Sequence, residues 1–153
     1  MKKVGVFGSE YQADKQLVIR RLFEKLASLE AEVFVDRDFY LFLTDALNYE
    51  PAVSGILTSD EFDLDVALSL GGDGTFLRTA ARVNKQDIPI LGINTGRLGF
   101  LADISPEEME ETFDEIYNNH YKVEERSVLQ LHCDDKKLME SPYAPVSYTH
   151  LRA

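Results

Sequence analysis

Between residues 66 and 83 an apolar run, Val66-Ala67-Leu68-Ser69-Leu70, gives way to Gly71-Gly72-Asp73-Gly74-Thr75. A helix-like stretch follows, Phe76-Leu77-Arg78-Thr79-Ala80-Ala81-Arg82-Val83. A short continuous apolar run closed by glycines reads as a strand. Glycines at a strand-to-helix turn leave backbone N–H groups open and let a ligand's phosphates come close. A carboxylate among them repels phosphate, so Asp73 needs another task, and proton transfer or metal binding is the natural one.

The rest of the chain repeats the alternation of strand and helix. Residues 3–8 read as a buried first strand ending at a glycine. Residues 13–29 read as a helix, because Ile19, Leu22, Phe23, Leu26 and Leu29 recur at spacings of three and four. A short second strand is expected over 32–35, a helix over 39–47, a loop over 51–62, a third strand over 66–70 and a helix to about 84. A fourth strand is expected over 89–93, with another glycine-rich turn behind it. Ser105-Pro106-Glu107-Glu108 is a helix start: Ser105 can cap, Pro106 suits the first helical position and Glu108 can complete a capping box. That helix should reach about residue 118, with extended chain over 121–132. Strands alternating with helices argue for an α/β fold with a Rossmann-like parallel sheet flanked by helices. Ligands then bind at the carboxyl ends of the strands, where both glycine turns fall.

Charge narrows the partners. The 153 residues carry 16 basic and 27 acidic side chains, a net charge of −11, which argues against nucleic acid. Arg78, Arg82 and Arg97 lie near the glycine turns in sequence and soften the local field toward phosphate. The acidic residues 107–115 read as a solvated helix face. Cys133 is the single cysteine, so no internal disulfide is expected. Neither a signal peptide nor a bilayer span is legible, and cytoplasmic is the default. His120, His132 and His150 lack metal-ligand spacing, and no protein metal site is expected.

A G-x-x-x-x-G-K-[ST] loop is absent, and no G-x-G-x-x-G run follows the first strand. What remains is Gly71-Gly72-Asp73-Gly74-Thr75 and then Gly92-Ile93-Asn94-Thr95-Gly96-Arg97-Leu98-Gly99-Phe100-Leu101. The pair resembles the NAD kinase family. The first motif is shared with lipid and sugar kinases; the second is far more specific. The resemblance runs from Lys3 to about Ala144, and Arg126-Ser127-Val128-Leu129 looks like the strand that opens the family's β-rich second domain. It implies phosphoryl transfer from ATP, with Mg²⁺ or another divalent cation held largely by the substrate, to the 2′-hydroxyl of the adenosine ribose of NAD. Asp73 would be the general base. Gly72, Asp73, Gly74, Thr75, Arg78, Phe100 and Leu101 would line the nucleotide site. A homo-oligomer is implied for the full-length protein, without membrane or nucleic acid.

Plainer roles stand beside these. Phe100 can be core, Arg78 can solvate a helix face, and Asn94 is better suited to bridging its turn than to touching a ligand. The expected organisation is an α/β domain over 1–120, the first strand of an incomplete β-rich domain within 121–144, and a foreign tail over 145–153. At Pro145 the family's pattern stops, and its Asn-Glu pair is missing. The chain is therefore read as a truncated gene product, weak or inactive alone. A lipid or sugar kinase, or a non-catalytic nucleotide-binding module, are the alternatives.

Overall fold

The computed structural model describes residues 2–10, 13–59, 61–83, 86–96, 99–130 and 143–145. Five strands form one parallel sheet: β1 (Lys3–Gly8), β2 (Glu32–Asp36), β3 (Gly55–Leu57), β4 (Val66–Gly71) and β5 (Ile90–Asn94), in the order β3-β2-β1-β4-β5. The helices are α1 (Gln16–Ser28), α2 (Arg37–Leu41), α3 (Asp73–Val83) and α4 (Met109–Tyr117). β4 is buried along its whole length, as its unbroken apolar run requires. Among the described residues, no helix is long and apolar enough to cross a membrane.

Side chains alternate across the sheet and so divide two cores. Val4, Val6, Leu68 and Leu70 pack on one face with Ile19, Leu22 and Leu26 of α1, Phe39 of α2, and Met109 and Phe113 of α4. Phe7 and Ala67 point to the other face, with Leu57, Leu64, Ile88 and Val83 of α3. Four of the five stripe residues, Ile19, Leu22, Phe23 and Leu26, are the buried positions of that helix; Leu29 follows its last turn and is only partly buried against the same core.

Three expectations need correction. The segment 51–62 is not wholly loop, because Gly55–Leu57 adds to the edge of β2; three residues are too few to carry a period. The strand at Val66 is therefore the fourth, and the one at Ile90 the fifth. The helical segment over 39–47 begins earlier, at Arg37, and passes at Phe42–Ala46 into a wider π turn. The helix expected from 13 opens with a 3-10 turn, Ala13–Lys15.

The capping box forms. Glu108 N–H donates to Ser105 Oγ at 3.3 Å, and Ser105 N–H donates to Glu108 Oε2 at 3.0 Å. Regular helix starts one residue on, at Met109. Ser105→Ala should lower stability by about 1 kcal/mol, measured by denaturant unfolding; no change would mean that the box carries no load. The acidic face of α4 is exposed, as expected, and two of its carboxylates also form ion pairs. Glu110 pairs with Arg21 at 2.8 Å and Asp114 with Lys25 at 2.6 Å, tying α4 to α1.

Beyond α4, residues 121–127 have no regular structure. β6 (Val128–Gln130) pairs antiparallel with β7 (Tyr143–Pro145). The extended segment expected over 121–132 is thus a strand only at Val128–Gln130 among its described residues. Cys133, His132, His150 and, apart from Pro145 in β7, the expected foreign tail 145–153 lie outside the described residues.

Candidate active site at the sheet's switch point

The strand order reverses between β1 and β4, so the connections leaving them diverge and open a crevice at their carboxyl ends. Gly8 ends β1 and Gly71 ends β4. The glycines around this crevice fall into two groups. Gly71, at φ +156°, is pressed by Thr75, and a side chain there would overlap the threonine Oγ1. Gly92 is closed in by Ala102 and Phe76. Gly72 and Gly74 are different: a Cβ added to either meets nothing within 4 Å. Packing among the described residues does not require glycine at those two positions, and the side-chain direction at each is open.

The start of α3 lies between them. Thr75 N–H and Phe76 N–H both donate to the Gly72 carbonyl, at 3.0 and 3.1 Å. The intrahelical ladder supplies no acceptor to the earlier N–H groups of that first turn, which carry the positive end of the helix dipole.

The Asp73 side chain reaches across to the second motif. Its Oδ2 accepts Phe100 N–H at 2.9 Å; its Oδ1 accepts Leu101 N–H at 3.0 Å and Ala102 N–H at 3.3 Å. These amides, Phe100's foremost, hold the carboxyl below the usual carboxylate range against the opposing effect of desolvation. Because the folded group is the stronger acid, this tie is complete above the ordinary aspartate range. It is lost as pH falls through the depressed value.

Asn94 bridges its turn, as its bland reading had it. It is 5% exposed, its Nδ2 donates to the Ala102 carbonyl at 3.1 Å, and its Oδ1 accepts Gly96 N–H at 2.9 Å. Thr95 N–H donates to the Gly71 carbonyl at 3.2 Å, tying the second turn to the first. The chain then returns beside β5 through a parallel bridge between Ile93 and Ile104.

The other expected site residues are placed unevenly. Thr75 is buried, its hydroxyl against Gly71 and accepting from Arg78 Nη2 at 3.3 Å. Arg78 is exposed at the surface of α3. Phe100 is not core: it is 74% exposed, beside the Asp73 carboxylate, while Leu101 is half-buried. Arg97 and Leu98 lie outside the described residues. Arg82, near the glycine turn in sequence, has partners elsewhere among the described residues. Its guanidinium meets Asp36 at 3.2 Å and the Ser59 carbonyl at 3.0 Å, and burial pushes the Asp36 carboxyl up despite that pairing. Sequence reasoning missed the union of Asp73 with residues 100–102 and the closeness of Gly99 to it; no period or spacing signals a bond across 27 residues.

Fold and site together define a doubly wound α/β domain with an open glycine turn and a tethered aspartate at its switch point. Residues 12–121 match the model of the ATP-NAD kinase N-terminal domain. The chain is 56% identical over 142 residues to a NAD kinase of Bacteroides fragilis, covering 93% of this chain and 49% of that protein. It is 37% identical over 131 residues to a NAD kinase of Porphyromonas gingivalis, covering 86% and 46%. A yeast NADH kinase crystallised with NADH shares the fold, with a TM-score of 0.74 at 21% identity over 96% of this chain and 47% of that one. The chain belongs to the ATP-NAD kinase family, through its N-terminal domain. It spans about half the length of the curated relatives it matches.

Proposed function

We propose that this chain supplies the catalytic turn of an NAD kinase, which transfers the γ-phosphoryl group of ATP to the 2′-hydroxyl of the adenosine ribose of NAD. The observation that carries the reading is the open side-chain direction at Gly72 and Gly74 among the described residues, next to a carboxylate held by three backbone N–H groups. Glycines with no described neighbour on their side-chain face let a phosphate approach the peptide N–H groups of a helix start.

In the reaction the ribose oxygen bonds to phosphorus, the bond to the bridging oxygen of ADP breaks, and the hydroxyl proton passes to Asp73. A carboxylate with a depressed pKa is a weak base for an alcohol. It suffices because phosphoryl transfer is loose and the hydroxyl turns acidic late, so orientation matters more than base strength. Phe100, exposed beside Asp73, offers an aromatic face to the dinucleotide, with Leu101 behind it. Arg78 is close enough to the helix start to meet a phosphate, and Thr75 acts by locking Gly71 in place. A divalent cation on the donor would be held largely by its phosphates and would offset their charge during transfer.

On the same reading, residues 1–120 form the α/β domain and the strand at Val128 opens a second, β-rich one. A cytoplasmic homo-oligomer at full length is the matching expectation. Calorimetric titration of the protein encoded by the full source reading frame with NAD and with ATP, followed by an assay against NAD, diacylglycerol and sugar phosphates, tests the function. Heat on adding NAD and phosphorylation of NAD alone are expected from the protein encoded by the full source reading frame. Phosphorylation of the lipid or sugar instead would replace this reading with the neighbouring kinase classes. Binding without turnover would leave a nucleotide-binding module.

A further inference from the structure

We propose that Gly99 is a positioning residue for Asp73. The missing side chain at Gly99 lets the carboxylate settle into the amides of residues 100–102, and the settled anion keeps one acceptor direction open for a single substrate hydroxyl. The last clause rests on the kinase reading; the first does not.

Space is the first ground. A Cβ on Gly99 would stand 2.6 Å from Asp73 Cγ and 2.8 Å from Oδ2, and closer still to Oδ1. Non-bonded carbon needs about 3.5–4.0 Å. Of the two partners the carboxylate is the movable one, a side-chain end facing backbone. Any residue but glycine at 99 therefore drives Asp73 out of its seat rather than breaking the sheet.

The count of bonds is the second ground. An ionised carboxylate has about four lone-pair sites. Oδ1 spends two on Leu101 and Ala102, and Oδ2 spends one on Phe100. The remaining site is on Oδ2, the oxygen whose single amide partner belongs to exposed Phe100. Among the described residues it is backbone amides, Phe100's first, that lower the pKa of this carboxyl. Residues 99–102 are thus a receptor for the Asp73 anion, and the anion in turn shapes the backbone that carries Phe100.

The test uses the chain without substrate. Amide hydrogen exchange at Phe100 and Leu101, and the titration of the Asp73 carboxyl carbon, are read by NMR in the parent, Gly99→Ala and Gly74→Ala. Gly74 also loses its glycine, but into open space. Gly99→Ala should speed exchange at Phe100 and Leu101 about tenfold, the effect of losing a hydrogen bond to a charged group. It should also return the Asp73 titration toward the usual range, while Gly74→Ala leaves both unchanged. Parent-like exchange and titration in Gly99→Ala would overturn the proposal. Should Gly99→Ala fail to fold, Asp73→Ala gives the same reading: faster exchange at those amides supports the seat, and unchanged exchange refutes it. In the turnover assay Gly99→Ala should lower kcat far more than it raises the KM for NAD. An unchanged kcat beside a shifted titration would overturn only the substrate clause.

Discussion

Asp73→Asn should remove most turnover from the protein encoded by the full source reading frame, roughly 10²–10⁴-fold in kcat, the usual worth of a positioned proton acceptor. The amide has nearly the shape of the acid but cannot take a proton at neutral pH. It also cannot replace all three bonds. If its oxygen keeps Leu101 and Ala102, its NH₂ faces the N–H of Phe100, donor against donor. The segment carrying Phe100 should therefore loosen, and the KM for NAD should rise modestly while binding persists. Near-normal turnover would rule out Asp73 as the acceptor. Complete loss of NAD binding would make its role one of assembly alone.

Phe39→Ala should destabilise the domain by about 3–5 kcal/mol, the range for removing a fully buried phenylalanine. Phe39 is wholly buried on α2, and its ring lies 6.1 Å from that of Phe42, nearly parallel. Its edge fills the place where a side chain on Gly8 would stand. The ring thus packs under the carboxyl end of β1, one wall of the switch-point crevice. A loss of this size is a large part of the roughly 5–15 kcal/mol that holds a domain together. Denaturant unfolding should show the midpoint falling with little change in slope. A loss below about 1 kcal/mol would mean that neighbouring side chains close the gap.

The sequence made legible whatever is periodic or local. The β1 and β4 runs, the α1 stripe and the Ser105–Glu108 box each declare themselves within a few residues, and each forms. Gly55–Leu57 does not, because its pairing with β2 is decided by the sheet. The Arg82 pair with Asp36 is unreadable for a similar reason: nearness in sequence to the glycine turn says nothing of which side of α3 meets Asp36. At the site, both motifs and the importance of Asp73 could be read directly. Their hydrogen-bonded union could not, since it exists only once β5 lies beside β4 and brings residues 99–102 back to the start of α3. Gly72 and Gly71 look alike as letters. Only the fold distinguishes a glycine held by Thr75 from one facing open space.

The most direct measurement of the central claim is the position of the new phosphate. The purified full-reading-frame protein is incubated with ATP and NAD, and phosphorus–proton coupling in the product is read by NMR. A phosphate on the 2′ carbon of the adenosine ribose, absent in Asp73→Asn, is the predicted result. A phosphate on any other oxygen, or equal product from both proteins, would contradict it.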